Sequence, residues 1–303
     1  MKTLQYIDRV SGEEKQEQVY GDFFIQLLYG KGPLSRLFST LLLPLITRCP
    51  ILSKLYGMLQ KTRLSRRKIA PFIRRFAIDT TDFQDPVSSF TTFNDFFIRR
   101  LKAASRPIDT DPHVAVLPAD ARYFVFPHMG NADGFFVKGK KFSLATLLQN
   151  SSLADQFTHG AMVIARLAPV DYHRFHFPCD GFVHPSSPIP GFLHSVNPLA
   201  LVRHAEILSQ NRRMVTQIDS PQFGTFLFIE VGAVCVGTIH QTFTPNRLQY
   251  KGSEKGYFSF GGSCVILLFQ PGVIKLDADL VAASARGLEV LGKMGQSLGH
   301  SLK

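Results

Sequence analysis

From about Thr80 onward the chain is built of short apolar runs separated by Gly, Pro and Asn. Ala161–Leu167, Thr225–Val231, Ala233–Ile239 and Cys264–Phe269 are each six or seven residues long and rich in Val, Ile and Phe. Runs this short, made of β-branched and aromatic residues and closed by turn formers, predict strands rather than helices. A short helix is expected over Phe93–Lys102, and loops over Asn150–Ala154 and Pro185–Pro190. The fold class that follows is α+β, a mainly antiparallel β-sheet domain preceded by short amphipathic N-terminal helices. The 303 residues suffice for one large domain or two small ones, and 45% hydrophobic against 19% charged residues is a globular composition.

Charge is distributed unevenly. Lys31, Arg36, Arg48, Lys54, Lys61, Arg63, Arg66, Arg67, Lys68, Arg74 and Arg75 lie in a stretch without a single Asp or Glu. These eleven of the 34 basic residues leave 23 for the rest of the chain, which balance its 23 acidic ones, so the net charge of +11 belongs to this segment. Such a segment favours an anionic partner. It is also amphipathic: Leu52, Leu55, Tyr56 and Leu59 recur at helical spacing, as do Ile69, Phe72, Ile73 and Phe76, with Pro44, Pro50 and Pro71 dividing the region. Apolar stripes beside Lys and Arg suit helices lying in a lipid interface, with Arg66, Arg67, Lys68, Arg74 and Arg75 on the headgroups and Leu52, Leu55 and Leu59 in the acyl boundary. The bland alternative is that the stripes pack on a core. Nucleic acid is disfavoured, because no recognition motif accompanies the charge.

The uncharged stretch Leu37–Ile46 is half the roughly 20 residues that spanning requires. Residues 1–15 carry Asp8, Glu13 and Glu14 and no apolar run, unlike a secretory signal or an acid-poor presequence. Cys49, Cys179, Cys235 and Cys264 form no CxxC pair and read as free thiols of a reducing compartment.

Three segments could carry chemistry. Asp120 follows Leu117-Pro118-Ala119; an acid after Pro is commonly a turn residue. His173 and His176 lie three apart within Asp171-Tyr172-His173-Arg174-Phe175-His176-Phe177-Pro178-Cys179. Histidine moves protons near neutral pH, while His173, His176 and Cys179 could also ligate zinc, or the pair could be structural. Finally, Gly261-Gly262-Ser263 precedes an apolar strand. It reads either as a bulge or as a nucleophile on a backbone that glycine keeps flexible. Residue type and order alone allow an Asp120–His176–Ser263 set without saying which reaction it performs.

Taken together these segments resemble the phosphatidylserine decarboxylases. The resemblance runs over residues 93–299 and includes Phe93-Asn94-Asp95-Phe96-Phe97-Ile98-Arg99-Arg100-Leu101-Lys102, Arg106-Pro107-Ile108-Asp109, Pro118-Ala119-Asp120, the histidine segment, Ser195-Val196-Asn197-Pro198, Val231-Gly232-Ala233, Gly256-Tyr257-Phe258 and Lys293-Met294-Gly295-Gln296. It departs from the common pattern at Cys264, where Thr is usual, and at Ala121, where Gly or Cys is usual.

The resemblance implies that Asp120, His176 and Ser263 form a charge relay for self-cleavage between Gly262 and Ser263. Ser263 then becomes a pyruvoyl group, the only cofactor implied, which forms a Schiff base with the substrate amine. His173 is the candidate proton donor, and no metal is implied. Residues 1–80 would be the basic membrane-associating region and residues 81–303 the catalytic domain, cut into chains 1–262 and 263–303 that stay associated. The expected partner is phosphatidylserine in an anionic surface, and a homodimer is compatible with this reading. The expected location is peripheral, on the cytoplasmic face of a bacterial inner membrane. The rival readings are an inactive lipid-binding homologue and a serine hydrolase that uses the same three residues without cleavage.

Overall fold

A computed structural model describes residues 5–18, 50–130, 143–196, 206–233, 238–261 and 263–303, with the backbone alone for 50–54. Its centre is an eleven-stranded sheet. Ten strands follow one another in the order β12 (Arg247–Gln249), β7 (Gly181–Val183), β9 (Arg213–Ser220), β10 (Gly224–Gly232), β14 (Ser263–Phe269), β5 (Ala161–Leu167), β4 (Ala121–Phe126), β16 (Glu289–Gly292), β1 (Gln5–Asp8) and β2 (Glu14–Gln16). The eleventh, β8 (Ser187–Ile189), pairs with β9. Every pairing is antiparallel except β1 with β16. Two three-stranded sheets account for the other strands among the described residues: β11 (Ile239–Gln241), β13 (Glu254–Phe258) and β6 (Arg174–His176), and β15 (Ile274–Leu276), β17 (Ser297–Ser301) and β3 (Val114–Val116).

The central strand β14 shows why the sheet is two-sided. Val265, Leu267 and Phe269 enter one core with residues of the two small sheets and of helix α7 (Ala278–Ala285). Cys264, Ile266 and Leu268 enter a second core under α4 (Leu144–Leu148), α5 (Ser151–Asp155) and α6 (Ile207–Gln210). Successive side chains of a strand point to opposite faces, so a continuous apolar run is what a strand covered on both sides needs.

A third core holds the N-terminal helices. It joins Ile69 and Phe72 of α2 (Ile69–Phe76) to Phe83, Phe90, to Phe93, Phe96 and Phe97 of α3 (Phe93–Phe97), and to Phe260. Tyr56 of α1 (Pro50–Gln60) packs on its edge. Proline does not interrupt these helices. Pro50 opens α1 and Pro71 lies in the first turn of α2, where no intrahelical N–H is required.

The mainly antiparallel α+β class is observed, with local differences. The helix expected over Phe93–Lys102 covers Phe93–Phe97 only; a capping box between Thr92 and Asp95 starts it, and Leu101 turns back to bridge Phe83. Asn150–Ala154 is not a loop but mostly helix, because the Asn150 Oδ1 caps the Leu153 N–H at 3.0 Å. Within Pro185–Pro190, residues Ser187–Ile189 form β8. The strand expected over Ala233–Ile239 is divided: β10 ends at Gly232, Ile239 opens β11, and residues 234–237 lie outside the described residues. Residues 5–16 supply β1 and β2, which their sequence did not announce.

Candidate active site

Ser263 is the first residue of β14 and is fully buried. It stands between Gly232 of β10 and Leu167 of β5. Gly261, two residues upstream, has φ +135°, a conformation that L side chains rarely adopt. Gly262 lies outside the described residues.

The Ser263 Oγ lies 3.2 Å from Nδ1 of His173. On the other side of that ring, Nε2 lies 2.9 Å from the carbonyl oxygen of Ala168. A carbonyl only accepts, so Nε2 carries the proton and Nδ1 presents its lone pair to the serine hydroxyl. Burial pushes the ring's pKa down to about 3, against the Ala168 carbonyl, which favours the charged form. His173 is thus neutral at physiological pH. Phe97 stacks on it with ring centroids 3.8 Å apart.

The turn that supplies the Ala168 carbonyl is itself braced. Asp171 N–H donates to the same oxygen at 2.9 Å, with Pro169 at the position where its fixed φ suits a β-turn. The Asp171 carboxylate accepts from Ala168 N–H at 2.6 Å and from Arg122 at 2.6 Å. Burial nevertheless raises its pKa to about 6, with Arg122 and the Ala168 N–H opposing.

The structure sets the other two expected residues against different partners. His176 Nδ1 lies 2.9 Å from the Gly252 carbonyl and Nε2 lies 3.3 Å from the Tyr172 hydroxyl. By the same argument Nδ1 carries the proton and Tyr172 donates to Nε2. Burial lowers the pKa of His176, while the Gly252 carbonyl and the charges of Glu254 and Asp120 raise it. Asp120 accepts from Arg106 Nε at 2.9 Å and from Met294 N–H at 2.9 Å. Arg106 also holds Asp82 at 2.9 Å. Burial opposes the charge of Arg106, but these two carboxylates outweigh it and raise its pKa. Asp120 thus reaches His176 through its charge and not by a hydrogen bond among the described residues, and the Ser263 hydroxyl donates to His173, not to His176. Cys179 is a buried free thiol.

Phe97, Ala168, Tyr172 and Arg106 are site residues that the sequence did not single out for a role. Phe97 and Arg106 stand in segments that carried the resemblance, but nothing in spacing tells a ring that supports a histidine from one that fills a core.

In the basic segment, Arg66, Arg67, Lys68, Arg74 and Arg75 are exposed. Leu55 and Leu59 are about half exposed, and Met58 and Leu64 join them. The side chain of Leu52 lies outside the described residues, as do Lys31, Arg36 and Arg48. The second apolar set turns inward instead: Ile69 and Phe72 are buried in the third core, and Ile73 and Phe76 pack against it. No helix among the described residues is long and apolar enough to cross a membrane.

Comparison with known proteins gives one answer. The family model described as phosphatidylserine decarboxylase matches residues 93–300. A phosphatidylserine decarboxylase proenzyme of Chlamydia felis is 45% identical over 302 residues, covering 100% of this chain and 99% of the relative. That of Chlamydia caviae is 45% identical with 100% of both chains covered, and that of Chlamydia pneumoniae is 45% identical over 99% of this chain and 98% of the relative. With its motifs in order, its Ser263–His173 contact and full-length relatives at this identity, the chain belongs to the phosphatidylserine decarboxylase family.

Proposed function

We propose that this chain converts phosphatidylserine to phosphatidylethanolamine and CO2, after cutting itself between Gly262 and Ser263. The observation that carries the reading is a buried serine hydroxyl facing the lone pair of a neutral, fixed histidine. The word proenzyme in the names of the relatives agrees with a chain that must be processed.

In the cleavage, Ser263 Oγ gives its proton to a histidine and attacks the Gly262 carbonyl, turning the amide into an ester. The fixed proximity of neighbouring residues favours that attack. Elimination across Cα–Cβ of residue 263 then releases Gly262 as a carboxylate that keeps the oxygen. Hydrolysis of the remaining enamine loses ammonia and leaves a pyruvoyl group at the head of residues 263–303. The residues present fit such a group: Ser263 has no solvent exposure, Gly232 beside it has no side chain, and a proton acceptor stands within hydrogen-bond reach. Once formed, that group supplies an electron-accepting carbonyl for the substrate amine and for the charge left by departing CO2.

We assign the cleavage step to His176 and Asp120, as the resemblance implies, and the delivery of the proton needed after CO2 loss to His173, whose Nδ1, bare at rest, first takes that proton up from the substrate ammonium as the Schiff base forms. For the first, Nε2 of His176 exchanges the Tyr172 hydroxyl for Ser263, with Asp120 favouring the charged ring. A second reading rests on the 3.2 Å contact: His173 takes the serine proton itself. Separate measurement of cleavage and turnover in His173→Ala decides between them. The function as a whole is tested by incubating the purified protein with phosphatidylserine vesicles and measuring CO2 and phosphatidylethanolamine. An intact, inactive chain, or esterase activity without cleavage, would support the rival readings.

The exposed basic residues and Leu55, Met58, Leu59 and Leu64 support peripheral docking on an anionic lipid surface. A diacyl substrate leaves a bilayer at a cost of about 0.8 kcal/mol per exposed CH2, so the enzyme has to come to it.

A further inference from the structure

A cavity of about 300 Å³ opens beside the Asp120–Tyr172 wall. Arg99, Arg106, Lys293, Tyr172 and the carboxylates of Asp79, Asp82, Asp120 and Asp171 supply its polar lining. Asp82 and Asp120 are held by Arg106, and Asp171 by Arg122. Asp79, also in the lining, accepts from Thr81 and feels Lys293. Arg99 is the buried cation of this lining that no carboxylate contacts within 4 Å among the described residues; Lys293 is exposed.

Arg99 is 5% exposed and has no carboxylate within 4 Å among the described residues. Its Nη1 and Nη2 donate to the carbonyls of Phe96, Val170 and Asp171 at 3.1 to 3.3 Å. Its Nε has no partner among the described residues. The guanidinium lies over the rings of Phe83 and Phe96, at 4.9 and 5.0 Å from their centroids. Burial lowers its pKa to about 10, with Asp120 and Asp171 opposing from a distance, so it remains charged at neutral pH. A buried cation left without an anion is costly. With Nη2 taken up by two carbonyls, the unpartnered Nε–H is the donor left for an oxyanion in the cavity.

We propose that Arg99 binds the phosphodiester of the phosphatidylserine headgroup in this cavity. The inference rests on the decarboxylase reading and adds the substrate subsite to it. Position supports it. Arg99 follows Phe97, whose ring stacks on His173, by two residues, and it grips the carbonyls of Val170 and Asp171 just before His173. The headgroup carries two anions. A buried guanidinium on the carboxylate would stabilise the ground state that has to lose CO2. The phosphodiester persists through the reaction and is the anion that gains from a permanent cation. Free serine lacks it, so Arg99 makes the site selective for the lipid over the amino acid.

The test uses the full chain, with glycerophosphoserine, inorganic phosphate and L-serine titrated in a calorimeter, and short-chain phosphatidylserine in micelles for turnover. Glycerophosphoserine binds the wild type. Arg99→Gln weakens that binding and raises KM, each by about tenfold or more, the scale of one charged hydrogen bond. The rise in KM exceeds any change in kcat, serine binding does not move, and Arg99→Lys falls between. Equal glycerophosphoserine binding in wild type and Arg99→Gln overturns the proposal, as does inorganic phosphate binding alone. If both Arg99 variants fail to fold, Ile78→Trp decides, because it narrows the cavity lining and keeps Arg99. Raised KM then supports the proposal and unchanged KM overturns it. Binding is read without turnover, so a wild type that binds glycerophosphoserine but releases no CO2 sinks the decarboxylase reading separately.

Discussion

The Nδ1 atom of His173 lies 3.2 Å from the Oγ of Ser263, on a ring whose other nitrogen is tied to the Ala168 carbonyl. That second bond settles which nitrogen bears the proton, so the serine faces a lone pair rather than a donor. The arrangement depends on a β-turn, a stacked Phe97 and the buried Asp171, none of which hydrogen-bonds to Ser263 among the described residues.

His173→Ala is expected to cut itself and then to decarboxylate at least about a hundredfold more slowly, the usual scale for losing a positioned acid or base. His176→Ala and Asp120→Asn are expected to remain uncut. Gel analysis of fresh protein reads cleavage, and CO2 release reads turnover. An uncut His173→Ala would transfer the cleavage step to His173, and normal processing of His176→Ala would remove that residue from the relay.

Phe97 is a positioning residue, since it touches the His173 ring and not the serine. Phe97→Ala removes a fully buried ring and is expected to cost about 3–5 kcal/mol of stability. It should also lower turnover more than Phe93→Ala, which removes an equally buried ring from the same core without a His173 contact. Equal turnover in the two variants, at matched folded fraction, would reduce Phe97 to a packing residue.

Stability should fall on the acid side because of His173. The unfolded ring takes a proton near pH 6.5, while the folded one resists until about 3. In between, the unfolded state binds more protons, so the contribution is complete above 6.5 and is lost as pH falls toward 3. Asp171 works the other way between its usual 3.8 and its folded value of about 6, where acid favours the fold. Denaturant unfolding of the uncut Ser263→Ala chain and of Ser263→Ala/His173→Asn, at pH 7 and pH 4.5, measures the balance. The gap between them should narrow by on the order of 2–3 kcal/mol at the lower pH, at about 1.4 kcal/mol per pH unit. A constant gap would show that His173 does not stay neutral.

Docking should have two separable parts. Replacing Arg66, Arg67, Lys68, Arg74 and Arg75 with Gln should abolish the part of vesicle binding that salt screens. Replacing Leu55, Met58, Leu59 and Leu64 with Ser should remove the part that survives salt, which depends on buried apolar area. Self-cleavage should continue in both, since none of these residues approaches Ser263 by a described contact. Flotation with anionic vesicles at low and high salt reads both, and unchanged flotation would place the docking surface elsewhere.

The strands around Ser263 were legible because β14 and β5 are covered on both faces, so nearly every residue is apolar. The short strands β1, β2 and β8 were not, because short polar strands are stabilised by pairing rather than by their own pattern. In the basic segment the periodicity was real but its direction was hidden. Leu55 and Leu59 face outward while Ile69 and Phe72 fill a core, and only the Phe-rich segment 83–97 decides that. At the site, Asp120, His173, His176 and Ser263 could be picked by residue type and resemblance. Their partners could not, because Ala168, Gly252 and Met294 act through backbone groups that any residue carries.

The central claim is that Ser263 becomes the head of a second chain, and intact mass spectrometry of the purified protein tests it most directly. The account predicts two associated chains, residues 1–262 and residues 263–303, the shorter one carrying a pyruvoyl group in place of an N-terminal serine. Ser263→Ala should give one intact, inactive chain, because no side-chain oxygen remains to attack Gly262. A single uncut wild-type chain that still releases CO2 from phosphatidylserine, or a Ser263→Ala chain that yields the same short fragment, would contradict it.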